Sequence, residues 1–84
     1  MNKESINRGL QLKLARETRG YTQSELSAKV EGLSQANLSK FEGGSPSISE
    51  DTLIVTMQFL NWPIGWIDRK APNRWIFTSI NKHK

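Results

Sequence analysis

The chain contains no cysteine, which excludes a disulfide framework and any thiolate metal site. Histidine is nearly missing as well: the single His83 sits between Lys82 and Lys84, without neighbours suited to a metal or a proton relay. Without a histidine partner, the serines, aspartates and glutamates form no nucleophile–base constellation. No G-x-x-x-x-G-K phosphate loop and no His-Glu zinc helix occurs, and Gly9 stands alone rather than in a glycine-rich loop. These absences argue against an enzyme and against a bound cofactor. No apolar run approaches the roughly 20 residues needed to cross a bilayer, and Met1-Asn2-Lys3-Glu4 carries no apolar export signal. The expectation is therefore a cytoplasmic protein with no membrane partner. There is no internal repeat and no extended low-complexity segment.

Eighty-four residues suffice for one domain with a modest core. The net charge of +4 is unevenly placed. Residues 1–68 hold seven Lys/Arg against eight Asp/Glu, a net of −1, whereas Arg69, Lys70, Arg74, Lys82 and Lys84 meet no acid. This divides the chain into a domain over 1–68 and a basic tail over 69–84. The tail reads equally well as a solvated end or as an arm touching phosphates, so charge alone does not establish a nucleic-acid partner.

Periodicity predicts an all-α, compact five-helix bundle. The first helix runs from about Ser5 to Arg19, with Leu10, Leu12, Leu14 and Ala15 as its apolar stripe, and Gly20 stops it. The second runs from a Thr22 cap to about Val30, with Leu26 and Val30 facing inward. The third covers about Gln35 to Glu42, where Leu38 and Phe41 share one side opposite Ala36, Ser39 and Lys40, with Gln35 and Asn37 at the margins. After the Gly43-Gly44-Ser45-Pro46 loop, Ser47 or Ser49 caps a fourth helix whose stripe is Leu53, Ile54, Met57 and Leu60. Asn61 to Ile67 reads as a short fifth helix entered at Pro63, with Trp62, Ile64, Trp66 and Ile67 closing the bundle. The β-branched and aromatic residues 74–80 form a candidate C-terminal strand.

The most informative stretch lies between Thr22 and Gly43. Thr22 and Glu25 have the spacing of a capping box, Ser34 can cap the next helix, and Gly32 suits the turn between them. Two short capped helices around a tight turn are the layout of a helix-turn-helix that reads DNA. The second of them opens with Gln35 and Asn37, whose amides both donate and accept and so suit the edge of an adenine in the major groove. Ala36 can meet a thymine methyl, and Ser39 and Lys40 can reach phosphate or base.

Leu12-x-Leu14-Ala15-Arg16-Glu17-x-Arg19-Gly20-Tyr21-Thr22-Gln23-x-Glu25-Leu26, followed by Leu33-Ser34-Gln35-x-x-Leu38-Ser39-Lys40-Phe41-Glu42-x-Gly44, resembles the Cro and phage-repressor (XRE-type, lambda-repressor-like) helix-turn-helix family over about residues 6–67. The form of residues 49–66 is also similar to the domain found ahead of ImmA/IrrE-type metallopeptidase domains in bacterial regulators. No peptidase domain follows within this sequence, so a stand-alone regulator and a piece of a longer one both stay open. Two positions depart from the family pattern: Glu31-Gly32 lengthens the central turn by a residue, and Ser27 stands where alanine is usual.

The resemblance implies that Gln23 contacts the DNA backbone and braces the following helix, that Gln35, Ala36, Asn37 and Lys40 face the groove, and that Arg16 and Glu42 form a partly buried ion pair. Together with Ser34 and Ser39 these are the expected site residues. The function so implied is a bacterial or phage transcriptional regulator, a repressor in the leading reading, acting on double-stranded operator DNA as a homodimer. The rival reading is a protein-interaction module, such as an antitoxin-like partner binder, with Trp62, Trp66, Trp75 and Phe77 as its exposed aromatic patch. Segment 74–80 either pairs with its copy in a second subunit, the preferred outcome, or folds back beside Trp66.

Overall fold

Four α-helices followed by a 3-10 helix build the fold in a computed structural model, which describes residues 3–68. The helices are α1 (Lys3–Thr18), α2 (Gln23–Lys29), α3 (Gln35–Glu42) and α4 (Glu50–Phe59), and the 3-10 helix spans Ile64–Asp68. Among the described residues there is no strand; the candidate strand 74–80 and the basic tail lie outside them.

Local sequence writes most of the helix ends. Thr22 Oγ1 accepts from the Glu25 amide at 3.0 Å while the Glu25 carboxylate accepts from the Thr22 amide at 2.8 Å, the reciprocal pair expected at the start of α2. Ser49, not Ser47, caps α4, its hydroxyl accepting from the Thr52 amide at 3.3 Å. Helices α1, α3 and α4 all stop in one way. A left-handed residue follows the helix, namely Gly20, Gly44 or Asn61, and the next amide bonds back to a carbonyl five residues earlier (Tyr21 to Arg16, Ser45 to Lys40, Trp62 to Met57) at 2.9–3.1 Å. Glycine takes that conformation freely, and asparagine tolerates it.

The core is continuous through Leu12, Ala15, Leu26, Val30, Leu33, Leu38, Phe41, Ile48, Leu53, Met57, Leu60, Trp62 and Ile67. Three expectations need correction. Leu10 and Ile54 point outward, and their places on the inner faces of α1 and α4 go to Gln11 and Thr56. Thr56 is tolerated there because its hydroxyl donates to the Thr52 carbonyl one turn back at 2.7 Å. The fifth element is a 3-10 helix, as the Trp66 amide bonding to the Pro63 carbonyl at 2.9 Å shows. Five residues containing a glycine are too few for a stable α-helix. Within it Ile67 is buried, while Ile64 and Trp66 stay exposed.

Arg8 of α1 and Arg19, just past its end, hold the distant segment in place. Arg19 donates to the carbonyls of Leu60 at 2.8 Å and Asn61 at 3.0 Å, satisfying the end of α4, and its guanidinium lies 5.1 Å from the Trp62 ring centre. Arg8 bridges Glu50 at 2.6 Å and Asp68 at 2.8 Å, joining the start of α4 to the last turn.

Glu25 and Glu50 are both more acidic in the fold than the ordinary 4.5, Glu25 through hydrogen bonds from Thr22 and Glu50 chiefly through the one from Arg8. The unfolded chain therefore binds these protons first. Their contribution to stability is complete above about pH 4.5 and is lost as pH falls through the lowered folded-state values. Melting followed by circular dichroism is expected to drop steadily between pH 5 and pH 3, and Glu25→Gln to flatten that drop. Equal slopes for both proteins would refute the capping contribution.

Candidate nucleic-acid interface

Helix α3 divides cleanly into two faces. Leu38, Phe41 and Glu42 are buried, whereas Gln35, Ala36, Asn37, Ser39 and Lys40 are all exposed. The division follows from the 3.6-residue period, which places 38 and 41–42 on one side. Ser34 starts the helix, its hydroxyl accepting from the Asn37 amide at 3.1 Å, so this expected site residue acts on the backbone of α3. Before it, Gly32 at φ +85° and the bond from the Leu33 amide to the Val30 carbonyl at 3.2 Å close the turn and bury Val30 and Leu33 beneath it. The lengthened turn is thereby absorbed by one left-handed glycine. Ser27, in the position where alanine is usual, returns its hydroxyl to the Ser24 carbonyl at 3.0 Å and stays within its own helix.

The back of α3 is held by one carboxylate. Arg16 donates through Nε to Glu42 Oε2 at 2.7 Å and through a terminal nitrogen to Glu42 Oε1 at 2.9 Å. Its other terminal nitrogen reaches the Tyr21 carbonyl at 2.7 Å. Gln23 Nε2 adds a bond to Glu42 Oε1 at 3.0 Å. Three helices thus meet at Glu42, and Arg16 ties the corner at Tyr21 to the same cluster. Relative exposures of 7% for Arg16 and 9% for Glu42 make the pair buried, deeper than the partly buried one the resemblance implied. The hydrogen bond to Glu42 also raises the Arg16 pKa, so the guanidinium remains charged at every accessible pH.

Gln23, half-buried at the start of α2, commits one amide hydrogen to Glu42, which orients its side chain beside α3. Two further contacts were not legible as such. Ser47, weighed as a cap, donates its hydroxyl to the Asn37 carbonyl at 2.8 Å and ties the α3–α4 loop to the first half of α3. Gly9 lies buried where α1 crosses the end of α3. The expected aromatic patch is divided: Trp62 is buried with Trp66 set edge-on to it at 5.7 Å, Trp66 is exposed, and Trp75 and Phe77 lie outside the described residues.

A family model described as helix-turn-helix matches residues 12–67. The chain belongs to the helix-turn-helix family. The match covers the second half of α1 and every later described helix, and the family is the XRE type, a DNA-binding regulator class. No curated protein and no solved structure matches the chain significantly. Among the described residues no helix is long and apolar enough to cross a membrane.

Removing one member of a buried, hydrogen-bonded pair leaves the other charge uncompensated, which costs about 3–5 kcal/mol. Arg16→Ala and Glu42→Ala should each lower the urea-unfolding free energy by that amount. The double variant Arg16→Met/Glu42→Leu should lose far less, because it desolvates no charge. Additive losses in the double variant would refute the coupling.

Proposed function

We propose that the chain is a sequence-specific repressor of bacterial or phage type that lays α3 in the major groove of double-stranded DNA and binds a two-half-site operator as a homodimer. The observation that carries this reading is the exposed row Gln35, Ala36, Asn37, Ser39 and Lys40 on a helix whose opposite face is locked to α1 and α2. Gln35 and Asn37 supply bidentate amides, worth roughly 1–3 kcal/mol of discrimination each. Ala36 offers a methyl contact to thymine, and Lys40 and Ser39 reach the backbone. Gln23 presents its amide from the start of α2 to a phosphate. Residues 1–68 constitute the binding domain and 69–84 a basic extension. Because residues 1–68 are net −1, affinity depends on where these few donors sit rather than on bulk attraction.

Support for a second copy comes from an uncharged run. Residues 52–67 contain no Lys, Arg, Asp or Glu, and they leave Ile54, Val55, Phe59, Ile64 and Trp66 exposed. Depletion of charge around aromatic and aliphatic residues is the compositional signature of an interface core. Across a two-fold axis identical residues approach one another, and exposed residues from a run without charge meet their copies without repulsion.

Selection of duplexes from a random pool tests the reading as a whole and is expected to return a two-fold-symmetric site. Gln35→Ala/Asn37→Ala should abolish preference for that site while leaving the melting transition nearly unchanged, and retained discrimination would refute the assignment. Lys40→Ala should weaken all duplexes and reduce the salt slope by about 1. Sedimentation equilibrium distinguishes the partners. A dimer in both the full chain and a version ending at Lys70 places the contact in the helices, where the uncharged run is the proposed surface, and loss of the dimer on truncation places it in the tail. Monomers in both forms favour a different protein as occupant of that face, the antitoxin-like reading.

A further inference from the structure

An interior glycine weakens an α-helix relative to alanine, so a glycine seven residues into a 16-residue helix has to be repaid by something else. At Gly9 the repayment is proximity. A Cβ built there would lie 2.2 Å from the Phe41 carbonyl oxygen and 3.1 Å from the carbonyl carbon and oxygen of Glu42. These are backbone atoms, unable to swing aside as a flexible side chain does. By contrast, a Cβ at Gly20 or Gly65 would meet nothing within 4 Å, and one at Gly43 would rest at an ordinary 3.5 Å. At Gly9, therefore, α1 and the last turn of α3 touch backbone to backbone.

We propose that Gly9 is a positioning residue for base discrimination: its side-chain-free contact with Phe41 and Glu42 fixes the angle at which α3 is presented. The inference rests on the reading of α3 as the recognition helix. Gly9 and Arg16 stand about two turns apart on α1, roughly 10 Å along its axis. Both bear on the same end of α3, Gly9 on its backbone and Arg16 on the Glu42 carboxylate. Together with the bonds from Gln23 to Glu42 and from Ser47 to the Asn37 carbonyl, they set its direction. Relieving the 2.2 Å contact to an ordinary 3.4 Å requires a wedge of roughly 1 Å at the C-terminal end of α3. On a helix of eight residues, about 12 Å long, such a wedge tilts the axis by roughly 5° and displaces Gln35 and Asn37 against any fixed target. Bidentate hydrogen bonds tolerate only a few tenths of an ångström of that displacement. Phosphate contacts made by flexible side chains such as Lys40 absorb it.

The test uses the full-length chain, the duplex it selects from a random pool and a scrambled duplex, with both affinities measured across a salt series. Gly9→Ala is compared with wild type and with Met57→Val, which trims the core in α4. Binding is measured at 10 °C with trimethylamine oxide, conditions that favour the compact state, after circular dichroism has established that each protein is folded. For Gly9→Ala the ratio of selected to scrambled affinity is expected to fall roughly tenfold or more, while affinity for the scrambled duplex and the salt slope stay at wild-type values. Met57→Val, destabilised but not re-aimed, should keep the wild-type ratio. A folded Gly9→Ala with an unchanged ratio overturns the proposal alone. So does a Gly9→Ala chain that does not fold under these conditions, since the contact would then serve folding and not aim. A wild-type chain that prefers no duplex overturns the reading of α3 and this inference with it.

Discussion

Everything in this small domain hangs on the carboxylate of Glu42. Three hydrogen bonds converge on it, two from Arg16 of α1 and one from Gln23 of α2, and Arg16 spends its remaining nitrogen on the Tyr21 carbonyl at the corner between those helices. A buried charge pair of this kind adds little net stability relative to apolar residues of the same shape. What it does add is direction. Hydrophobic contacts between Leu12, Leu26, Leu38 and Phe41 would tolerate several relative orientations of α1, α2 and α3, whereas a two-pronged guanidinium–carboxylate contact tolerates few. The charge is also made safe by its surroundings, since all three guanidinium nitrogens and both carboxylate oxygens hold a hydrogen bond within the same cluster.

The helices that form the turn motif are short, and this makes the geometry around Glu42 more consequential. Helix α2 has seven residues and α3 eight, lengths at which an isolated helix does not persist in water. Their caps at Thr22 and Ser34 and the left-handed stop at Gly44 satisfy backbone groups that would otherwise oppose burial. Stability then comes from docking against α1, which at sixteen residues is the longest described element and contacts both α3 and the final 3-10 helix. Arg19 and Arg8 extend the same arrangement by anchoring the end of α4 and the last turn to α1.

Much of this was legible in the sequence because it is local. The capping box at Thr22, the glycine stops and the inward spacing of Leu38 and Phe41 depend on residues within one or two turns of one another. What escaped depends on distance along the chain. Leu10 and Leu12 look alike in a helical stripe, and the choice of Gln11 as the buried neighbour is made by elements packed later in the sequence. Gly9 reads as a neutral interruption until the backbone of Phe41, 32 residues away, is seen against it. Ser47 and Ser49 are equivalent candidate caps in one dimension, and only the approach of Asn37 separates their roles. The exposed residues of α3 were the plainest of all, since a polar face on a helix with a buried opposite face is written in the period itself.

That two-faced character of α3 has a consequence for how such a domain can change over generations. The residues that hold the helix, Leu38, Phe41 and Glu42, and those that face outward, Gln35, Ala36, Asn37, Ser39 and Lys40, share no member. Substitution on the outer row touches no buried atom of the core and no partner of Glu42, so the vocabulary of the surface can be rewritten while the grammar of the fold is left alone. A lineage built on this frame can drift from one target to another without passing through an unfolded ancestor.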